Sequence, residues 1–164
     1  MAIRIDKIDC RILEELQRDA SQSQRALSEK VGLSQNACWR RLKALEDRGA
    51  IRNHTVVLNR DELGAGFVVF VMVRTRHHSA KWLDTFRRLV GELDPVVDFY
   101  RIGGDYDYLL KIVARDMASY DACYRALISE IELETVTSFF AMEAIEEQRP
   151  IPLSPQSGVA DHAP

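Results

Sequence analysis

The sequence predicts an α+β chain of two modules, three helices followed by a β-α-β-β-α-β unit. Three observations carry that expectation. Apolar residues recur at helical spacing up to about residue 49, and between residues 67 and 148 short apolar strand-like runs alternate with two more helical stretches. Glycines and cap-forming residues punctuate the chain where each helix should start or stop. Charge divides the same way. Residues 1–60 carry 12 Lys/Arg against 8 Asp/Glu, a net of +4, and residues 61–164 carry 10 against 17, a net of −7. A basic front and an acidic back suggest different partners for the two halves.

At 164 residues the chain is long enough for one ordinary core or two small ones. A composition 46% hydrophobic and 29% charged reads as a soluble globular protein. No apolar run reaches membrane-spanning length, and the first residues lack the apolar core of a secretion signal, so no membrane partner is expected. Cys10, Cys38 and Cys123 are odd in number and widely spaced, without metal-ligand spacing. Reduced thiols and a cytoplasmic location follow, with no metal site and no cofactor expected.

The elements are expected as follows. In DKIDCRILEELQRD (6–19), Ile8, Ile12, Leu13 and Leu16 make a helical stripe, and Asp6 can cap it. In SQRALSEKVGL (23–33), Ser23 can cap, Ala26, Leu27 and Val31 share a face, and Gly32 can end the helix in a left-handed turn. In SQNACWRRLKALEDRG (34–49), Ser34 can cap, Cys38, Leu42 and Leu45 point inward, and Gly49 marks the stop. With that stripe buried, Gln35, Asn36, Trp39, Arg40 and Lys43 share the opposite face. Amides and cations read base edges and phosphates, so this is the pattern of a helix-turn-helix whose second element is a recognition helix. The turn before it, with Ser34 at the helix start, can meet a phosphate. Trp39 either packs on the preceding helix or faces the groove. AIRNHTVVLNRDELG then reads as two short strands, a wing with a polar tip at Arg52–His54, where Arg52 adds a backbone contact to duplex DNA.

FVVFVMVRT (67–75) is a strand with almost no polar alternation. Both of its faces should therefore be buried, one under helices and one against a second copy of the chain. SAKWLDTFRRLVGELD (79–94) is a helix with Trp82, Leu83, Phe86, Leu89 and Val90 inward, closed by Pro95. VVDFYRI (96–102) and YDYLLKIVAR (106–115) are strands joined by a glycine turn. ASYDACYRALISEI (118–131) is a helix and VTSFFAMEAIEEQ (136–148) a last strand. The order is that of a split, ferredoxin-like unit. Pro150, Pro152, Pro155 and Pro164 mark a loose tail. The expected domains are thus 1–60, 61–149 and a flexible 150–164.

RIGGDYDY (101–108) is the stretch richest in chemistry. Asp105 and Asp107 invite a catalytic reading, but no histidine, serine or lysine constellation accompanies them, so no enzyme is expected. A metal reading lacks a third oxygen ligand nearby in sequence. Gly-Gly-Asp makes a good hairpin connection in any case. Exposed backbone N–H groups beside carboxylates also suit the two charged ends of a free amino acid.

These residues resemble a known family. GLSQNACWRRLKALEDRGAI, GGDYDYLLKI and SFFAMEAIEE are similar to the Lrp/AsnC bacterial transcription regulators over residues 6–148. HHSAKW and FYRIGGDYDY resemble a cysteine-responsive subgroup. The resemblance implies a winged helix-turn-helix, a dimerising effector domain assembling to tetramers or octamers, and an amino-acid effector bound between subunits, with cysteine first. Carried onto this chain, it places the effector at Tyr100, Ile102, Gly103, Gly104, Asp105, Tyr106 and Asp107, with Thr137, Ser138 and Phe140 from the last strand. Asp107 is the expected ammonium partner, and an alternative part for Asp105 is to hold the turn through its own backbone hydrogen bonds. Two other readings are an effector-free architectural DNA-binding protein of this fold and a metabolite-binding module whose N-terminal helices only dimerise.

Overall fold

The computed structural model describes residues 3–155, which divide into two units. One runs to Val56 and takes in the segment from Glu146 onward, and the other is Val57–Ile145.

The first unit holds α1 (Lys7–Arg18), α2 (Gln24–Val31) and α3 (Gln35–Asp47). Each starts where its cap was expected. Asp6 accepts from the N–H groups of Ile8 and Asp9, while Asp9 reaches back to the N–H of Asp6, which completes a capping box. Ser23 and Ser34 cap α2 and α3 through Ala26 and Ala37. Gly32 closes α2 at φ +73, a left-handed turn that glycine adopts without penalty. Ile12, Leu27, Val31, Cys38 and Leu45 form a closed core between the helices.

No strand forms in the described residues between α3 and Phe67, so the two expected wing strands are absent. Val56, Val57 and Leu58 instead stand more than half exposed. An extended segment needs a neighbour to take its backbone groups, and here this chain supplies none.

The second unit runs β1 (Phe67–Arg74), α4 (Ala80–Gly91), β2 (Val96–Arg101), β3 (Tyr108–Ala114), α5 (Met117–Ser129) and β4 (Thr135–Phe140). Its four-stranded sheet is antiparallel in the order β2-β3-β1-β4, the ferredoxin-like arrangement. Val69, Val71 and Val73 of β1 and Tyr108, Leu110 and Ile112 of β3 are buried with Phe86 and Val90 of α4 and Tyr120, Cys123 and Leu127 of α5. The register places β1 residues of the opposite parity on the other face, where Phe70 lies beside Phe139 of β4. Both are exposed while Val68 of the same parity is buried, so within one chain the second face of β1 is only partly covered.

The last strand is shorter than its sequence suggested. It ends at Phe140, and Ala141 makes the final ladder bond, to Val68. Its only partner, β1, begins at Phe67, so residues 141–148 have no strand to pair with. Met142 and Ile145 are accordingly almost fully exposed. The expected loose tail is tied at one point. The Gln17 side chain accepts from Ile151 N–H at 2.6 Å and donates to its carbonyl at 3.1 Å. The rest of that expectation, residues 156–164, lies outside the described residues.

Candidate functional site

Helix α3 presents its predicted face to solvent. Gln35, Asn36, Trp39, Arg40 and Lys43 are all exposed. Trp39 is 52% exposed, which settles its two readings in favour of the open face. The face carries less free charge than its sequence suggests. Lys43 Nζ sits 3.1 Å from Asp47 and 3.5 Å from Glu46, and those carboxylates raise its pKa. Arg40 and Arg52 have no ion pair among the described residues, which leaves both guanidiniums available to phosphate or base edges. The Ser34 hydroxyl is spent on the cap, so the start of α3 offers a phosphate mainly its backbone N–H groups.

The turn between β2 and β3 is held from one side. Ile102 N–H donates to the Asp107 carbonyl at 2.8 Å, and Asp107 N–H donates to the Val73 carbonyl at 2.9 Å. The Asp107 carboxylate then accepts from Thr75 N–H through Oδ2 at 2.8 Å. Its other oxygen, Oδ1, lies 4.0 Å from His78 Nδ1. Asp107 therefore clasps the turn to the end of β1 and keeps one oxygen for other partners. Asp105 does not take its alternative part of holding the turn. It is exposed and makes no hydrogen bond or ion pair among the described residues.

Gly104 adopts φ +122, where an L side chain is strained. Gly103 needs no such freedom, and a Cβ placed on it meets nothing within 4 Å. Its bare backbone is open to an incoming ligand, although the fold does not demand a glycine there.

Of the last-strand residues, the structure brings Thr137 to the turn. The Tyr106 hydroxyl lies 3.2 Å from Thr137 Oγ1. Ser138 turns to the helix-covered face and bonds the Tyr120 hydroxyl, which α5 supplies. Phe140 pairs in register with Val69 and packs on Phe67 and Tyr120. Three residues of strand put it roughly 10 Å along from Thr137, so it stands away from the turn. Tyr100 is exposed, with its Cα paired to Leu109.

Sequence reasoning missed Thr75 and His78. Thr75 follows Arg74, the last residue of β1, and it is buried at 3% exposure while its N–H donates to Asp107. That placement was visible only as the end of a strand. No group of three or more His, Cys, Asp or Glu among the described residues is arranged to hold a metal. All three cysteines are buried, and desolvation pushes their thiols up in pKa.

Comparison with known proteins locates both halves. Residues 5–52 match the winged helix-turn-helix DNA-binding family, and residues 68–151 match the Lrp/AsnC ligand binding domain. The chain is 42% identical over 161 residues to the glutamate uptake regulatory protein of Zymomonas mobilis, covering 98% of both chains. It is 40% identical over 150 residues to the DNA-binding transcriptional activator DecR of Escherichia coli, covering 91% of this chain and 99% of that one. Among solved structures, an AsnC family transcriptional regulator from Agrobacterium tumefaciens is 42% identical and superposes with a TM-score of 0.86, covering 90% of this chain and 97% of that one. A transcriptional regulator of Neisseria meningitidis in complex with L-Met is 30% identical with a TM-score of 0.85, covering 90% and 96%.

Proposed function

The chain belongs to the Lrp/AsnC family of DNA-binding transcription regulators, and from that premise we propose that it regulates amino-acid metabolism, with α3 reading DNA and the β2–β3 turn binding a free amino acid. The observation that carries the effector half is the state of the turn. Gly103 leaves backbone open, Asp105 is a carboxylate without a partner among the described residues, and Asp107 has one oxygen that takes no hydrogen bond there and lies 4.0 Å from His78. An α-ammonium group suits Asp107 Oδ1, with Asp105 as the second acceptor, and turn N–H groups suit the α-carboxylate. Tyr106 and Thr137 border the same turn. The effector considered first is cysteine, on the resemblance of residues 77–82 and 99–108 to cysteine-responsive members.

The open sheet face points to a homo-oligomer. Phe70 and Phe139 lie side by side on it, and a single chain leaves them in water. A dimer through that face, assembling further to a tetramer or octamer, would bring a second subunit near the turn. Effector binding between subunits then favours one assembly geometry and sets the spacing of paired recognition helices on DNA. No helix among the described residues is long and apolar enough to cross a membrane, and a regulator of this kind acts in the cytoplasm.

Thermal-shift screening against the twenty amino acids, followed by gel shift with those that stabilise, tests the reading. Stabilisation by cysteine together with altered DNA binding supports it in full. A response to glutamate or methionine instead keeps the site and replaces the effector. Silence across the panel favours an effector-free DNA-binding protein.

A further inference from the structure

Arg40 and Arg41 are neighbours in sequence with opposite fates. Arg40 points to solvent without an ion partner among the described residues. Arg41 turns back onto α1, where its Nη1 lies 2.7 Å from Asp6 Oδ2 and 2.8 Å from Asp9 Oδ1. Both carboxylates are already anchored by the capping box. Asp6 Oδ1 takes the N–H groups of Ile8 and Asp9 at 2.8 Å each, and Asp9 Oδ2 takes the N–H of Asp6 at 3.1 Å. Each acid therefore has one oxygen fixed by backbone and the other on the same guanidinium nitrogen. Asp9 is 7% exposed, and a carboxylate so placed needs a cation or several donors.

Arg48, at the far end of α3, donates to the Arg4 carbonyl ahead of α1, and the packing between the bodies of α1 and α3 is apolar, through Ile12, Cys38 and Leu45. Apolar contact is non-directional and leaves rotation and sliding of a helix weakly specified. A charge-assisted pair of hydrogen bonds onto a rigid cap is directional. We propose that Arg41 is a positioning residue for DNA recognition, fixing α3 against the capped start of α1 so that Gln35, Asn36, Trp39 and Arg40 hold one orientation, without itself touching DNA.

The proposal rests on α3 being the reading helix, so the experiment includes a control for that. The full chain is used with two duplexes, one selected by the parent protein from a randomised pool and one scrambled. Arg41→Met keeps the aliphatic stem and removes the charge. At a temperature where circular dichroism shows the variant folded, it should bind the selected duplex about tenfold more weakly, a loss like that of one misread base pair. Binding to the scrambled duplex should stay within about twofold, and the salt dependence should not change. Arg41→Lys should recover part of the selectivity. Equal losses on both duplexes with a salt slope lowered by about one would make Arg41 a phosphate contact and overturn the proposal. Parent-like binding by the folded variant would reduce it to a stabilising ion pair and overturn it equally. If Arg41→Met does not fold, Asp9→Asn keeps an acceptor for the cap and carries the same expectations. Arg40→Ala is the control. Loss there without loss at position 41 sinks only the clamp, whereas parent-like binding by Arg40→Ala sinks the reading of α3 itself.

Discussion

The two units solve the problem of burying apolar surface differently. In the first, three capped helices close around Ile12, Leu27, Cys38 and Leu45, and each stop and start signal lies within a few residues of the helix it ends. In the second, a sheet buries one face under α4 and α5 and leaves Phe70 and Phe139 of the other in solvent. The helical core of the first unit closes within one chain. The second unit is complete in its core and unfinished on its surface, and that surface lies on the sheet that carries the β2–β3 turn. A regulator built this way can read DNA with a self-contained module and change state through one that responds to its neighbours.

The strongest way to break this contrast is to damage one core and watch both. The chain has two tryptophans, Trp39 in the first unit and Trp82 in the second, so single-tryptophan variants report each unit separately. Phe86 is fully buried and packs edge-on against Phe99 and Tyr108. Phe86→Ala should cost the second unit about 3–5 kcal/mol. The Trp82 denaturation curve should move by that amount and the Trp39 curve should hold. Equal shifts at both would show one cooperative body.

Next in size is the surface contrast. Phe139→Lys should shift the chain toward monomer in sedimentation or light scattering, with the monomer still folded. An unchanged mass would remove the sheet face from the interface. On the DNA side, Arg40→Ala combined with Lys43→Ala should weaken duplex binding by one to two orders of magnitude and lower the salt slope by between one and two. The value falls nearer one if Lys43 keeps its pairing with Asp47.

The glycine pair gives a finer test within the second unit. Gly104→Ala forces a side chain into a strained conformation and should cost about 1–2 kcal/mol by chemical denaturation. Gly103→Ala meets open space, so stability should hold within about 0.5 kcal/mol while the effector response weakens. A Gly103→Ala variant that responds normally would move the ligand off the turn.

The smallest effect separates the units by pH. The Asp6 carboxyl titrates below its ordinary value of 3.8, chiefly because the N–H of Asp9 bonds its charged form, with Arg41 adding to this against some desolvation. Arg4, Lys7 and Arg48 border the same hollow and also favour the charged form. A depressed folded-state pKa contributes stability that is present above 3.8 and lost as pH falls through the folded value. Asp19 in the first unit and Asp116 in the second are lowered in the same sense, in both cases chiefly by their bonds to a nearby serine. With two such acids against one, acidification from pH 5 to 3 should lower the Trp39 midpoint more than the Trp82 midpoint. The reverse order would show that Asp6 and Asp19 do not set the acid sensitivity of their unit.

Much of this was legible in the residues. The three caps at Asp6, Ser23 and Ser34, the left-handed Gly32 and the inward stripe Cys38–Leu45 are signals within one or two turns of helix, where neighbours in sequence are neighbours in space. The order of strands and helices in the second unit was legible for the same reason, since each element carries its own apolar period. The errors fall where a partner strand decides. The wing strands and the length of β4 both depend on what lies alongside.

The sequence by itself determined the type, order and caps of the elements, the open face of α3 and the presence of a glycine turn between two strands. Only the tertiary structure decided how the charges on these elements are spent. It set Arg41 on Asp6 and Asp9, Lys43 on Asp47 and Asp107 on the Thr75 backbone, and it left Arg40 and Asp105 unpaired among the described residues. It also carried Phe140 away from the turn and Thr137 toward it. The reason is one of range. Helix caps and apolar periods act over a few residues. An ion pair between positions 6 and 41, or a hydrogen bond between 75 and 107, exists only once packing and strand register have brought distant parts of the chain together.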